Sequence, residues 1–183
     1  ELHLGQGAFY GPKLEVLLDD RRGNAWQCGT LQLDYLLPGR FELGYVDASG
    51  ARQAPVMIHR ALLGSLERFL GLLLERHGAR VPEWLAPEQV VVVPVSAAQA
   101  PFAEHAVGAL SERGVRAELD ARSERLSRRV RDAHERGAPL EAVVGAREVA
   151  ELSLALGEPD GSSSVAPLDV ALRELEKRFR PAA

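Results

Sequence analysis

Hydrophobic and polar positions change their period several times along the chain. Leu14 to Leu18 reads as a short apolar strand, Arg21-Arg22-Gly23-Asn24 as a turn, and Trp26 to Tyr35 as a second strand with alternating positions. Together they predict an antiparallel hairpin. Leu37-Pro38-Gly39 breaks the chain, Phe41 to Val46 resumes an extended pattern, and Asp47-Ala48-Ser49-Gly50 turns it toward Pro55-Val56-Met57-Ile58. From His59 the period becomes helical. Leu62, Leu66, Phe69 and Leu73 recur at spacings of three and four with Leu63, Leu70 and Leu74 beside them, which predicts a heavily buried helix ending near His77-Gly78.

Prolines 82 and 87 bracket Glu83-Trp84-Leu85-Ala86, and the pattern changes on either side of them. A boundary placed there gives a first domain over 1–80, a linker over 81–88 and a second domain over 89–183. Val90 to Val95 is a continuous apolar run, the mark of a strand covered on both faces. A helix over about 98–113, a strand 115–119, a helix over about 124–136 and a strand 140–144 follow. A shorter strand 152–156 and a helix over about 168–178 close the chain. The fold class is therefore α/β (α+β overall): a first part built on antiparallel sheet, then a small doubly wound α/β domain. No internal repeat interrupts this reading, and the only low-complexity tract is Gly161-Ser162-Ser163-Ser164.

Composition narrows the classes. In 183 residues, 46% hydrophobic and 26% charged, there is material for one or two globular cores and no signature of disorder or collagen. Net charge is −4, so any contact with nucleic acid must come from a local patch. Cys28 stands alone, which excludes an internal disulfide and fits a reducing, cytoplasmic setting; no apolar run is long enough to span a membrane. The only methionine is Met57, so the sequence reads as processed or as part of something longer.

Alternation on the second strand sends Leu31, Leu33 and Tyr35 to one face and Cys28, Thr30, Gln32 and Asp34 to the other. The second face is polar but short-armed, suited to holding a ligand at close range, although an ordinary outward face has the same pattern. His59 is either a metal ligand or a satisfied core histidine, and Arg68 inside an apolar helix needs a partner or a ligand. The stretch Arg122, Arg125, Arg128, Arg129, Arg131 and Arg136 is the one patch able to meet phosphates. Glu124, Asp132 and Glu135 between them also fit a plain solvated helix face.

Three strings carry a resemblance. Ala8-Phe9-Tyr10-Gly11-Pro12-Lys13, Trp26-Gln27-Cys28-Gly29-Thr30-Leu31-Gln32-Leu33-Asp34 and Pro55 to Phe69 closely resemble threonyl-tRNA synthetases in wording, order and spacing, and Trp84-Leu85-Ala86-Pro87 resembles that family's interdomain junction. The resemblance runs from the first residue to about Val149 and implies the end of a class II catalytic sheet with its third-motif helix, followed by an anticodon-binding domain.

It further implies an ATP-dependent threonine–tRNA ligase. His59 would be one of three protein ligands of a zinc ion, with the others upstream. Gln27, Thr30 and Arg68 would contact ATP, which would be used with Mg2+. Tyr10, Cys28, Gln32, Asp34, His59 and Ser65 would line the amino-acid and adenylate pocket, and Lys13 and Arg68 would be catalytic. Threonine, ATP and tRNA would be the partners, and a homodimer would form through the upstream part.

In the anticodon domain Arg131 and Glu148 match reading positions. Ser123 stands where the family carries asparagine, and Gly157 where a strand ends in arginine. The family's first and second motifs are not in this sequence, so the chain alone is expected to be inactive. The competing expectation is a synthetase-like paralogue that binds nucleotide or amino acid, or activates threonine for another acceptor, with relaxed anticodon reading.

Overall fold

The computed structural model describes residues 3–78 and 80–181. Residues 1, 2, 79, 182 and 183, which fall within the expected domains, lie outside the described residues. The chain divides into two compact units, 1–76 and 77–183.

In the first unit β1 (Lys13–Asp19) and β2 (Ala25–Asp34) form the expected hairpin, and β5 (Met57–Ala61) adds to the other edge of β2, giving the order β1-β2-β5 with both pairings antiparallel. The hairpin turn is organised by Asp20, whose carboxylate accepts the backbone N–H groups of Arg22 and Asn24, the Asn24 amide and the Trp26 indole N–H. A bulge follows: Val16 faces Gly29 but Leu17 faces Gln27, leaving Cys28 as the extra residue. After β2 come the short helix α1 (Leu37–Arg40) and the two-residue strands β3 (Tyr45–Val46) and β4 (Arg52–Gln53), joined around Asp47. The helix α2 (Leu66–His77) ends the unit.

Two expectations fail here. His59 does not open a helix; it sits in β5 opposite Gln32, and α2 starts at Leu66. Between them Gly64 adopts φ +66° directly over the Cys28 carbonyl, where no Cβ fits, so the apolar spacing that runs through residues 62–66 crosses a turn. Nor is α2 buried: Leu66, Leu70 and Leu74 are 67%, 52% and 46% exposed. Apolar positions surround much of this helix, and a three-stranded sheet cannot cover all of them.

The second unit is layered on both sides. Its strands β6 (Val90–Pro94), β7 (Ala117–Leu119), β8 (Leu140–Val144), β9 (Ser153–Gly157) and β10 (Ser163–Pro167) lie in the order β10-β9-β8-β6-β7. β6 is parallel to β7 and β8, as a doubly wound pattern requires, while β9 and β10 add antiparallel strands and make the sheet mixed. Helices α3 (Ala100–Glu112) and α6 (Leu168–Arg178) enclose one face with Val90 and Val92. Helix α4 (Leu126–Glu135) covers Val91 and Val93 on the other. All four valines are fully buried, which is what an unbroken apolar strand calls for. The sequence reading missed the short helix α5 (Ala146–Glu151) and β10, the latter hidden inside the serine tract.

Candidate functional site

The polar side of β2 is the covered side of its sheet. Cys28 and Asp34 are buried and Thr30 and Gln32 half-buried, whereas Leu31 and Tyr35 on the apolar side are 40% and 61% exposed. An ordinary solvated face would show the opposite order.

Strand pairing sets Lys13 and His59 on either side of Gln32. Tyr10, held by a backbone bond from Tyr35 N–H to its carbonyl, donates its hydroxyl to Gln32 Oε1. Its ring meets the His59 ring at 5.7 Å and 60°. His59 Nε2 lies 2.8 Å from Asp34 Oδ2, and Asp34 Oδ1 accepts the N–H groups of Leu36 and Leu37 at 2.9 and 2.8 Å. Burial pushes the Asp34 carboxyl up, but the His59 hydrogen bond, the two amides and the nearby imidazole outweigh it and hold the group below its ordinary value.

A second cluster forms where β2 begins. Arg68 Nη1 donates to the Gln27 carbonyl at 3.0 Å, and the guanidinium carbon stands 5.7 Å from the centre of the Trp26 ring. Ser65 caps the helix by accepting Arg68 N–H at 3.3 Å and donates to Glu67 at 2.7 Å. Thr30 lies on β2 between the clusters, and the Lys13 ammonium rests on Glu15 at 2.7 Å. The sequence reading missed Trp26 as a platform for Arg68. Its available signal was an indole beside Gln27, with Asp20 in the turn to anchor the indole N–H. Among the described residues no three His, Cys, Asp or Glu side chains converge to hold a metal, so His59 offers one ligand only.

In the second unit the candidates lie at the carboxyl ends of the parallel strands and on α4. Ser123 is exposed in the loop after β7, and Arg131 is exposed on α4 at 3.6 Å from Glu135. Glu148 is turned inward at 7% exposure: one oxygen accepts Gly145 N–H at 2.9 Å and the other meets Arg147. Burial pushes the Glu148 carboxyl up, but its backbone hydrogen bonds and Arg147 outweigh that and hold the group below its ordinary value.

The arginine stretch does not form one solvated face. Arg129 is buried, its Nη atoms donating at 2.8 Å to the carbonyls of Asp120 and Pro94, so it ties the ends of β7 and β6 together. Arg122 is clamped bidentately on Asp120 and also reaches Asp132. Arg128 pairs with Glu124 and Arg136 with Glu88. At Gly157 a Cβ would collide with Glu141 Oε1, and the same carboxylate stands 2.6 Å from His134 Nε2.

The family model for the anticodon binding domain matches residues 89–180, and the model for the tRNA synthetase class II core domain (G, H, P, S and T) matches residues 2–77. The chain belongs to the anticodon-binding-domain family of the class II tRNA synthetases. A threonine–tRNA ligase of Caulobacter vibrioides is 46% identical over 181 residues, covering 98% of this chain and 28% of that protein. One from Parasynechococcus marenigrum is 44% identical over 173 residues, again over 28% of its length. The chain thus spans about a quarter of the curated relatives it matches.

Among solved structures, the RNA binding domain of threonyl-tRNA synthetase from Cryptosporidium parvum superposes with a TM-score of 0.85 at 33% identity, over 97% of this chain and 45% of that one. Prolyl-tRNA synthetase from the same organism has a TM-score of 0.68 at 20% identity over 95% and 39% of the two chains, a likeness of fold. No helix among the described residues is long and apolar enough to cross a membrane.

Proposed function

We propose that this chain carries one side of the amino-acid and ATP pocket and the anticodon-binding domain of a threonine–tRNA ligase. The observation behind this reading is the inward polar face of β2, where Tyr10, Gln32, Asp34 and His59 interlock in a chain 46% identical to a threonine–tRNA ligase. In this reading Gln27 and Thr30 hold ATP, which class II enzymes use with Mg2+, and Arg68 offers a flat stacking plane and a fork for phosphate. Gln32 and Tyr10 face the amino acid beside Cys28 and Ser65, and Lys13 lies toward the tRNA acceptor end.

His59 fits as one ligand of a zinc ion completed by residues outside this chain. Such an ion supplies a Lewis acid that recognises a hydroxyl. Activation of threonine then depends on orientation of its carboxylate against the α-phosphate. Ser123, Arg131 and Glu148 serve the anticodon, a homodimer forms through segments outside this chain, and the setting is cytoplasmic.

The test is threonine-dependent ATP–pyrophosphate exchange by the longer protein that contains this chain. Arg68→Ala should lower the exchange rate by about a hundredfold or more; near-normal exchange would reject the assignment. The 183-residue chain alone should give no exchange.

One observation favours a second reading, a paralogue with relaxed anticodon specificity or with an acceptor other than tRNA. Where the family places an arginine, Gly157 has no side chain and Glu141 occupies the space beside it. Base-edge contacts specify while phosphate contacts position, so the C-terminal domain should bind threonine tRNA with strong salt dependence and little preference over other anticodons. Competition between wild-type and anticodon-substituted transcripts at fixed salt distinguishes the two readings.

A further inference from the structure

The resemblance puts Asp34 in the amino-acid pocket, yet this residue has no surface to offer a ligand. It is 0% exposed, and both of its oxygens are already engaged inside the unit. Oδ1 accepts Leu36 and Leu37 N–H at the start of α1, and Oδ2 faces His59 Nε2 at 2.8 Å. An ionised carboxylate is acceptor-only. Whatever else His59 does, the nitrogen facing Asp34 must therefore carry the proton. A neutral imidazole has one N–H and one lone pair, so the lone pair falls on Nδ1, which has no hydrogen-bond partner among the described residues.

The rest of the geometry fixes the ring as well as its tautomer. His59 pairs across the strands with Gln32, and the Tyr10 ring closes one side of the imidazole at 5.7 Å while its hydroxyl is spent on Gln32. Asp34 is anchored from beneath by two backbone amides, so it cannot swing toward a ligand without leaving both unpaired.

We propose that Asp34 is a positioning residue that acts through His59: by accepting Nε2–H it selects one tautomer and presents Nδ1 as the atom available to a cation. The presentation to zinc rests on the proposed function. The choice of tautomer does not, and it can be read in the isolated chain without metal.

The experiment uses the full chain labelled with 15N-histidine, at a pH where imidazole is neutral, with His59 assigned by loss of its signals in His59→Gln. Long-range proton–nitrogen correlations should show Nε2 protonated and Nδ1 as the lone-pair nitrogen. A protonated Nδ1 would overturn the proposal. Asp34→Asn separates positioning from mere support of the turn. An asparagine that keeps its oxygen on Leu36 and Leu37 must turn its NH2 toward His59, which makes Nε2 an acceptor and moves the proton to Nδ1. A tautomer shift in this variant supports the proposal; an unchanged tautomer in the folded variant overturns it. Where the variant fails to fold, the wild-type tautomer decides alone.

In the longer protein, competition with a chelator should show zinc bound ten- to a hundredfold more weakly by Asp34→Asn. Wild-type protein that binds no zinc but shows the expected tautomer and its shift would sustain the role of Asp34 and remove the zinc reading of His59.

Discussion

The two units use apolar residues in opposite ways. In the second, β6 is fully buried between α3 and α6 on one side and α4 on the other, and its core is closed within the unit. In the first, Cys28 is the apolar side chain buried on β2, while Val16, Ile58 and Leu70 stand 49%, 60% and 52% exposed. The first unit therefore has the hydrogen-bonded geometry of a site, with Asp34, His59, Tyr10 and Gln32 locked together, but no buried hydrophobic cluster of its own among the described residues. The second has a closed hydrophobic core and carries its candidate RNA-facing groups on loops and helices around it. Within this stretch of chain, which spans about a quarter of the relatives it matches, the apolar surface of the first unit is left open while that of the second is closed.

The largest effect expected from this contrast is on folding autonomy. A fragment over 80–181 should unfold cooperatively in denaturant, whereas a fragment over 3–78 should bind hydrophobic dye and show no cooperative transition, because a three-stranded sheet with an uncovered helix lacks a second layer. Matching sigmoidal transitions for the two fragments would break the comparison.

Point substitutions give the same contrast at smaller scale. Leu110 is fully buried on α3, so Leu110→Ala should destabilise the second unit by about 2–5 kcal/mol. Leu70 on α2 is 52% exposed, and Leu70→Ala should change stability by no more than roughly 0.5 kcal/mol. The denaturant midpoint of the whole chain checks both: it should fall with Leu110→Ala and stay nearly unchanged with Leu70→Ala.

How far the sequence made this division legible depends on the segment. The strand β8 over 140–144 and the helix α6 over 168–178 appear where the pattern put them, because each presents a clear apolar face that packs into the closed core. β10 was not legible: its serines carry no apolar alternation, and it is an edge strand secured by backbone bonds to β9. Residues 59–61 were misread as helix because apolar spacing does not reveal the positive φ of Gly64, the feature that separates β5 from α2. The candidate residues of the first unit were named by resemblance, but nothing in their spacing showed that Asp34 is spent on His59 and two amides. Arg129 was equally hidden, since a guanidinium on a polar helix looks solvated until two strand-end carbonyls are found beneath it.

That buried guanidinium gives the next prediction. Arg129→Met leaves the Asp120 and Pro94 carbonyls without their donor and should cost the second unit roughly 2–3 kcal/mol. Asp120 adds a pH dependence. Hydrogen bonds from Arg122 first, and its charge with that of Arg129, hold the Asp120 carboxyl below the ordinary range against burial. Its contribution is therefore present above the ordinary carboxylate value of about 3.9 and is lost as pH falls through its lowered folded value. Burial and the nearby Glu88 push Glu118 the other way, so its penalty is present near neutrality and relieved as pH falls. Acid unfolding of Asp120→Asn should be shallower than that of the wild type. Parallel acid curves would remove Asp120 from this account.

The smallest expected effect concerns Gly157, where Glu141 occupies the space a side chain would need. Gly157→Ala has two opposing consequences. The strand loses the conformational freedom of glycine in the unfolded state, which favours the folded protein by about 0.4–1 kcal/mol where the backbone is compatible. Gly157 has no positive φ, so the backbone is compatible. Against this, the new Cβ meets Glu141 Oε1 and must displace a carboxylate that stands 2.6 Å from His134. The two should nearly cancel, leaving a net change within roughly 1 kcal/mol. In a Glu141→Ala background the obstruction is gone, and the same substitution should become stabilising by about 0.4–1 kcal/mol. A double-mutant cycle on the second unit isolates the difference, which should exceed about 0.5 kcal/mol for residues in contact. Additive effects would mean that Glu141 moves aside freely and does not determine why glycine stands at 157.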